Sequence, residues 1–135
     1  EYLRVKEWDE DQIVDLYKAG SWWRDDYDPW GVGPLIRGSF DFVVAYDRSQ
    51  EKAVGMGRMI SDGVSDGYIQ DVVVLPERRG EGIGRNIIQK LVENAVEKGI
   101  GWIGLIAESD TREFYRSLGF REFEGTPMIF REGSQ

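Results

Sequence analysis

Val74-Leu75-Pro76-Glu77-Arg78-Arg79-Gly80-Glu81-Gly82-Ile83-Gly84 carries the chain from the end of an apolar run, through a proline, into the start of a helical pattern. Upstream, residues 68–75 (Tyr-Ile-Gln-Asp-Val-Val-Val-Leu) read as a buried strand, which Pro76 stops because it has no N–H for a sheet ladder. Downstream, Ile83, Ile87, Ile88, Leu91, Val92, Ala95 and Val96 recur at helical spacing over residues 82–98, and Gly99 supplies the C-terminal stop. A glycine-rich turn between a strand and a helix start gathers backbone N–H groups at the positive end of the helix dipole, which favours an anion there. Gly80, Gly82 and Gly84 let a phosphate approach the backbone without meeting a Cβ. The spacing is not the G-x-G-x-x-G of a dinucleotide fold, and the Gly-Lys-Ser/Thr ending of a nucleotide P-loop is missing.

Working outward, residues 3–5 form a short strand, and Asp9 caps a helix whose Ile13, Leu16 and Tyr17 share one face until Gly20 ends it. Residues 21–30, Ser-Trp-Trp-Arg-Asp-Asp-Tyr-Asp-Pro-Trp, are too rich in aromatics and acids to be a simple linker. Residues 40–46 and 53–60 read as antiparallel strands joined by a polar turn at 47–52, with a second turn at 61–67. After the long helix come a strand at 100–107 and a short helix capped by Asp110 or Thr111 that ends at Gly119. Residues 120–123 and 128–131 follow as a hairpin. The expected fold is a mixed α/β domain spanning residues 1–135, with a mainly antiparallel central sheet of about six to seven strands and helices on both faces.

Composition narrows the chemistry. A chain of 135 residues is long enough to bury a core without disulfides or metal. It has no cysteine and no histidine, which removes thiol nucleophiles, zinc clusters and imidazole bases, so no metal site is expected. A net charge of −8 argues against nucleic-acid backbones and anionic membranes, and favours a cationic partner. No apolar run approaches the roughly 20 residues of a membrane span and no leader pattern opens the chain, so a cytoplasmic location is expected. Against this acidic background Arg78, Arg79, Arg85 and Lys90 form a local basic concentration beside the glycine turn, opposed by Glu77 and Glu81.

With its strand-turn-helix setting, the stretch at 74–84 resembles the acetyl-CoA motif R/Q-x-x-G-x-G/A of the GNAT acetyltransferase superfamily, with Arg79, Gly82 and Gly84 in the signature places. A second element, Glu113-Phe114-Tyr115-Arg116-Ser117-Leu118-Gly119-Phe120, is similar to the F-Y-x-x-x-G-F ending common in that family. The resemblance spans residues 40–131 well and the first helix loosely. It implies a fold whose fourth and fifth strands splay apart, with acetyl-CoA as co-substrate. It places the cofactor on Arg79, Gly80, Glu81, Gly82, Ile83, Gly84, Arg85 and Thr111, and on the backbone of Val72, Val73 and Val74, where an N–H stabilises the oxyanion formed when the thioester is attacked.

The same resemblance makes Tyr115 the acid that protonates the departing thiolate. The amine must lose a proton, because an alkylammonium of pKa near 10 is no nucleophile at neutral pH. Without histidine the carboxylates near the strand ends are the candidates, Asp71 and Glu108. Period-two alternation puts Tyr68, Gln70 and Val72 on one face and Ile69, Asp71 and Val73 on the other. The residues matching the family's acceptor-facing places are Tyr68 and Gln70, neither of them a good base. The run from Gln70 to Val74 also resembles the corresponding strand of glucosamine-phosphate acetyltransferases. Segment 22–30 matches the family's cover over the acceptor mouth: Trp22, Trp23, Tyr27 and Trp30, with Asp25, Asp26 and Asp28, suit an ammonium by charge and by cation–π contact. The expected activity is direct acetyl transfer to a primary amine, a small molecule first. A protein or peptide acceptor and a non-catalytic acetyl-CoA-binding domain are the alternatives. The apolar C-terminal hairpin suits the homodimers frequent in that family, while the sequence leaves the oligomeric state open.

Overall fold

A computed structural model describes residues 1–132. Its chain falls into two compact units, Glu1–Leu105 and Ile106–Gln135. The first holds a five-stranded sheet in the order β1-β2-β3-β4-β5: β1 (Tyr2–Arg4), β2 (Asp41–Asp47), β3 (Lys52–Ser61), β4 (Asp66–Val74) and β5 (Trp102–Gly104). Neighbours are antiparallel from β1 to β4, and β5 joins β4 in parallel. The first unit's helices are α1 (Glu10–Ala19), α2 (Val32–Gly38) and α3 (Ile83–Glu97), while α4 (Arg112–Ser117) lies in the second. No helix among the described residues is long and apolar enough to cross a membrane.

The helices cover both faces of the sheet for reasons visible in the side chains. Asp9 caps α1 by accepting from the Gln12 N–H at 3.0 Å, and the helix buries Ile13, Val14, Leu16 and Tyr17. These pack with Val32 and Ile36 of α2 over Phe42, Val44, Met56 and Val73. On the opposite face Ile83, Ile87 and Leu91 of α3 lie against β3 at Gly55 and Gly57. Gly57 is required there by close approach, because a Cβ would stand 2.7 Å from Ile87 Cγ2 and 3.2 Å from Val72 Cγ2. Gly57→Ala is therefore expected to destabilise the protein by about 1–3 kcal/mol through overpacking, read by chemical denaturation. An unchanged midpoint would mean that α3 has room to move away.

Two expectations change, and one helix was not foreseen. Residues 32–38 form α2 although Gly33, Pro34 and Gly38 weaken the helical signal; burial of Val32 and Ile36 overrides propensity. The fifth strand, expected over 100–107, covers only Trp102–Gly104. Residues 120–123 and 128–131 make no strand, which leaves five strands in place of six to seven. Phe123, Met128, Ile129 and Phe130 are exposed, and an apolar run becomes a strand only where a pleated neighbour pairs with it and buries one face.

Candidate functional site

The turn ahead of α3 has the backbone its glycines suggested. After the 3₁₀ turn Pro76–Arg78, Gly80 has φ +85° and Gly82 φ +81°, both in the left-handed region that glycine enters without cost. Gly82 is the N-cap of α3 and brings no capping side chain, so the first-turn N–H groups have no side-chain cap from that position. Ile83 contributes backbone alone, since its side chain is buried against Gly55. Gly84 and Arg85 follow in the first turn.

The basic residues beside the turn separate in role. Arg78 donates through Nη1 to Asp47 Oδ2 at 2.6 Å and through Nη2 to Glu81 Oε1 at 3.2 Å, so it ties the turn to the end of β2. Asp47 also accepts from the Ser49 hydroxyl and the Gln50 N–H, and these bonds with Arg78 hold its carboxyl down at about 2. Arg79 donates through Nε to the Val74 carbonyl at 3.1 Å, which bridges the strand end to the glycine turn.

The edge of β4 next to this turn is open. β5 pairs with β4 only through Asp66, Gly67 and Tyr68, and beyond Tyr68 no strand among the described residues pairs with that edge. On its other side β4 is paired with β3 up to Val74, with one irregularity. Arg58 stands opposite Gln70, and Met56 opposite Val73, so β4 carries one residue more than β3 in that interval, a β-bulge. Asp71 sits in it with φ +59°.

The bulge corrects the alternation expected from the sequence. Val72 turns toward Gly57 and the α3 face, whereas Val73 joins the core under α1. Gln70 and Asp71 both point to the α1 face, where Arg58 reaches each of them. Asp71 thus lies with Gln70 instead of opposite it, because an inserted residue shifts the period of two by one place. Arg58 Nε donates to Asp71 Oδ2 at 2.7 Å, Tyr17 donates its hydroxyl to the same oxygen at 2.8 Å, and Arg58 Nη2 donates to Gln70 Oε1 at 3.1 Å. Burial first, and then the Asp71 charge, push the Tyr17 hydroxyl far above its ordinary range, so it remains a donor. Tyr68 is half-buried on the same strand, and desolvation raises its hydroxyl as well.

Tyr17 and Arg58 were not singled out from the sequence. Tyr17 reads as one more apolar-face residue of α1. Arg58 carried a usable signal, since a charge inside an apolar strand demands a buried partner.

Of the aromatic segment, Trp22 and Trp23 are half-buried against the core, and their rings stand 6.2 and 6.4 Å from that of Tyr17. Tyr27 meets Trp23 edge-on at 5.4 Å, and the Arg24 guanidinium lies 5.5 Å over the Tyr27 ring. Trp30 is 79% exposed, just after Asp28, whose carboxylate accepts from the Trp30 N–H at 2.9 Å. The structure therefore divides the segment into two core-packed indoles and an outer pair, Tyr27 and Trp30.

In the second unit Tyr115 is packed edge-on by Phe114 at 5.2 Å and Phe120 at 5.8 Å. Burial and the nearby Glu108 charge raise its hydroxyl, which keeps it protonated above pH 7. The Thr111 hydroxyl donates to the Glu108 carbonyl, which fixes the loop ahead of α4. Among the described residues no group of carboxylates is arranged to hold a metal ion.

A family model described as an acetyltransferase (GNAT) domain matches residues 38–122, more than half of the chain. The chain is 40% identical over 84 residues to GCN5-related N-acetyltransferase 2, chloroplastic, of Arabidopsis thaliana, covering 62% of this chain and 33% of that protein. It is 42% identical over 82 residues to histone acetyltransferase TAP1 of Glycine max, covering 60% and 36% respectively. It spans about a third of the length of these curated relatives. Among solved structures, glucosamine-6-phosphate N-acetyltransferase of Arabidopsis thaliana superposes with a TM-score of 0.75 at 13% identity, over 96% of this chain and 98% of that one, a likeness of fold.

Proposed function

The chain belongs to the GNAT acetyltransferase family, and from that premise we propose that it moves an acetyl group from acetyl-CoA to the primary amine of a small cationic molecule. The observation that carries the donor half is the open edge of β4 running into a glycine turn with left-handed Gly80 and Gly82 at the start of α3. Pantetheine amides match an unpaired strand edge, and a diphosphate matches uncapped helix N–H groups. Arg79, Gly80, Glu81, Gly82, Ile83, Gly84, Arg85 and Thr111 remain the proposed cofactor contacts, those of Ile83 through its backbone.

For the transfer, the amine attacks the thioester carbonyl directly in a ternary complex. The carbon–nitrogen bond forms, the carbon–sulfur bond breaks, and Tyr115 gives its proton to the departing sulfur, while the proton shed by the amine nitrogen passes to water and from water restores the Tyr115 hydroxyl. Tyr115 suits this role because its hydroxyl stays protonated where a CoA thiol of pKa about 8.5 begins to ionise. Asp71 Oδ2 is already held by Arg58 and Tyr17, so the amine enters as its free base. Glu108 acts through its charge on Tyr115. For an alkylamine kcat/KM then rises about tenfold per pH unit from pH 7 toward the amine pKa. A plateau from pH 7 upward would restore a carboxylate base.

The acceptor side is supported by Tyr68, Gln70 and Trp23, by the exposed Asp25 and Asp26, and by Tyr27, whose ring already seats a guanidinium. The histone acetyltransferase relative supports a second reading, a lysine side chain in a peptide. CoA release measured with small di- and polyamines, aryl-alkylamines and lysine peptides separates the two. Acetyl-CoA binding without release on any amine would leave only the binding-domain alternative. The exposed Met128, Ile129 and Phe130 support a homodimer, which sedimentation would read.

A further inference from the structure

We infer that Arg58 and Tyr17 are positioning residues: they hold Asp71 in the left-handed conformation that bulges β4, and so fix where the open strand edge presents its backbone to the thioester. The consequence for turnover rests on the acetyltransferase reading; the clamp is a property of the chain by itself.

Asp71 has φ +59° inside a strand, a region that residues other than glycine keep only when their surroundings over-determine it. Those surroundings come from two elements. Arg58 reaches from β3 with Nε 2.7 Å from Asp71 Oδ2, and the same guanidinium donates to Gln70, the residue just ahead of the bulge. Tyr17 reaches from α1 to the same Oδ2 at 2.8 Å. Arg58 and Asp71 side chains are only 15% and 22% exposed, so water screens the pair weakly.

Position gives the clamp its function. β5 leaves β4 after Tyr68, and the bulge begins just past Gln70, so the clamp sits where the open edge starts. After the bulge Val72 faces α3 and Val73 faces α1. A β4 without it would send Val73 out of the α1 core and shift every backbone group from 72 to 74 by one place. The edge amides that meet an oxyanion must be held to within a few tenths of an ångström, and this clamp supplies the hold.

The test compares the parent with Arg58→Met and Tyr17→Phe, each alone and combined with Asp71→Gly, since glycine takes the left-handed turn without help. The readouts are kcat, the acetyl-CoA KM and amide hydrogen exchange at residues 71–73. Arg58→Met is expected to lower kcat about tenfold or more, leave the KM within about twofold and speed exchange about tenfold, with Tyr17→Phe smaller in the same direction. In the Asp71→Gly background the Arg58 change should move kcat and exchange by no more than about twofold. Unchanged kcat and exchange in both single variants would overturn the clamp. An Asp71→Gly protein with parental exchange and no turnover would overturn the positioning role, because the carboxylate would then be acting in the chemistry. If the parent acetylates no amine, the acetyltransferase reading fails while exchange alone still decides the clamp.

Discussion

Gly82→Glu should lose at least about a hundredfold in acetyl-CoA affinity while the protein stays folded. At Gly82 an added Cβ meets nothing within 4 Å, so no clash opposes the change. What opposes it is the φ of +81°, which costs a residue with a Cβ about 1–2 kcal/mol. Against a typical stability of about 5–15 kcal/mol, that lowers the melting temperature by several degrees and leaves the domain folded. Binding suffers far more, because the new carboxylate stands at the N-terminus of α3, where the diphosphate is proposed to lie. Gly82→Asn separates strain from charge, since asparagine tolerates the left-handed region and adds no charge. Calorimetric titration should find Asn close to the parent and Glu without measurable binding. Equal affinities for all three would remove the diphosphate from this turn.

The second large effect is expected at Tyr115→Phe, with kcat falling about tenfold to a hundredfold and the acetyl-CoA KM staying within about twofold. The lower part of the usual range for a general acid applies because a thiol of pKa about 8.5 is already a fair leaving group. Stability should move by less than about 1 kcal/mol, because the phenyl ring keeps its edge contacts with Phe114 and Phe120. The raised Tyr115 hydroxyl has a sign that can be checked. A phenol whose pKa lies above its ordinary value keeps its proton further into alkaline pH, so the parent retains this step where an ordinary tyrosine would begin to ionise. Stopped-flow detection of CoA release would measure both. An unaltered kcat would leave Tyr115 as packing.

Much of the fold was legible because its signals are local. The glycine turn, the helix after it, the Asp9 cap and the stop at Pro76 each depend on residues within one or two turns of one another. α2 was hidden by its glycines and proline, since burial of Val32 and Ile36 is a tertiary fact. The expected C-terminal hairpin failed for the complementary reason: its apolar residues carry strand propensity but find no pleated partner.

The left-handed backbone of the glycine turn was legible in the sequence, and the face of one residue of β4, Asp71, was misread. Alternation counted along 68–75 assumes one residue per step, and a bulge breaks that count without leaving a mark in the letters. The residue types support the proposed chemistry: glycines for a phosphate cradle, a tyrosine for the acid, and the absence of histidine for a mechanism without an imidazole. The strand-turn-helix around residues 74–84 could be read along the chain, because backbone conformation there follows directly from glycine and proline. That Asp71 shares a face with Gln70 and is held by Arg58 and Tyr17 emerges in the folded chain alone, because it depends on bonds between residues 13 and 54 positions apart.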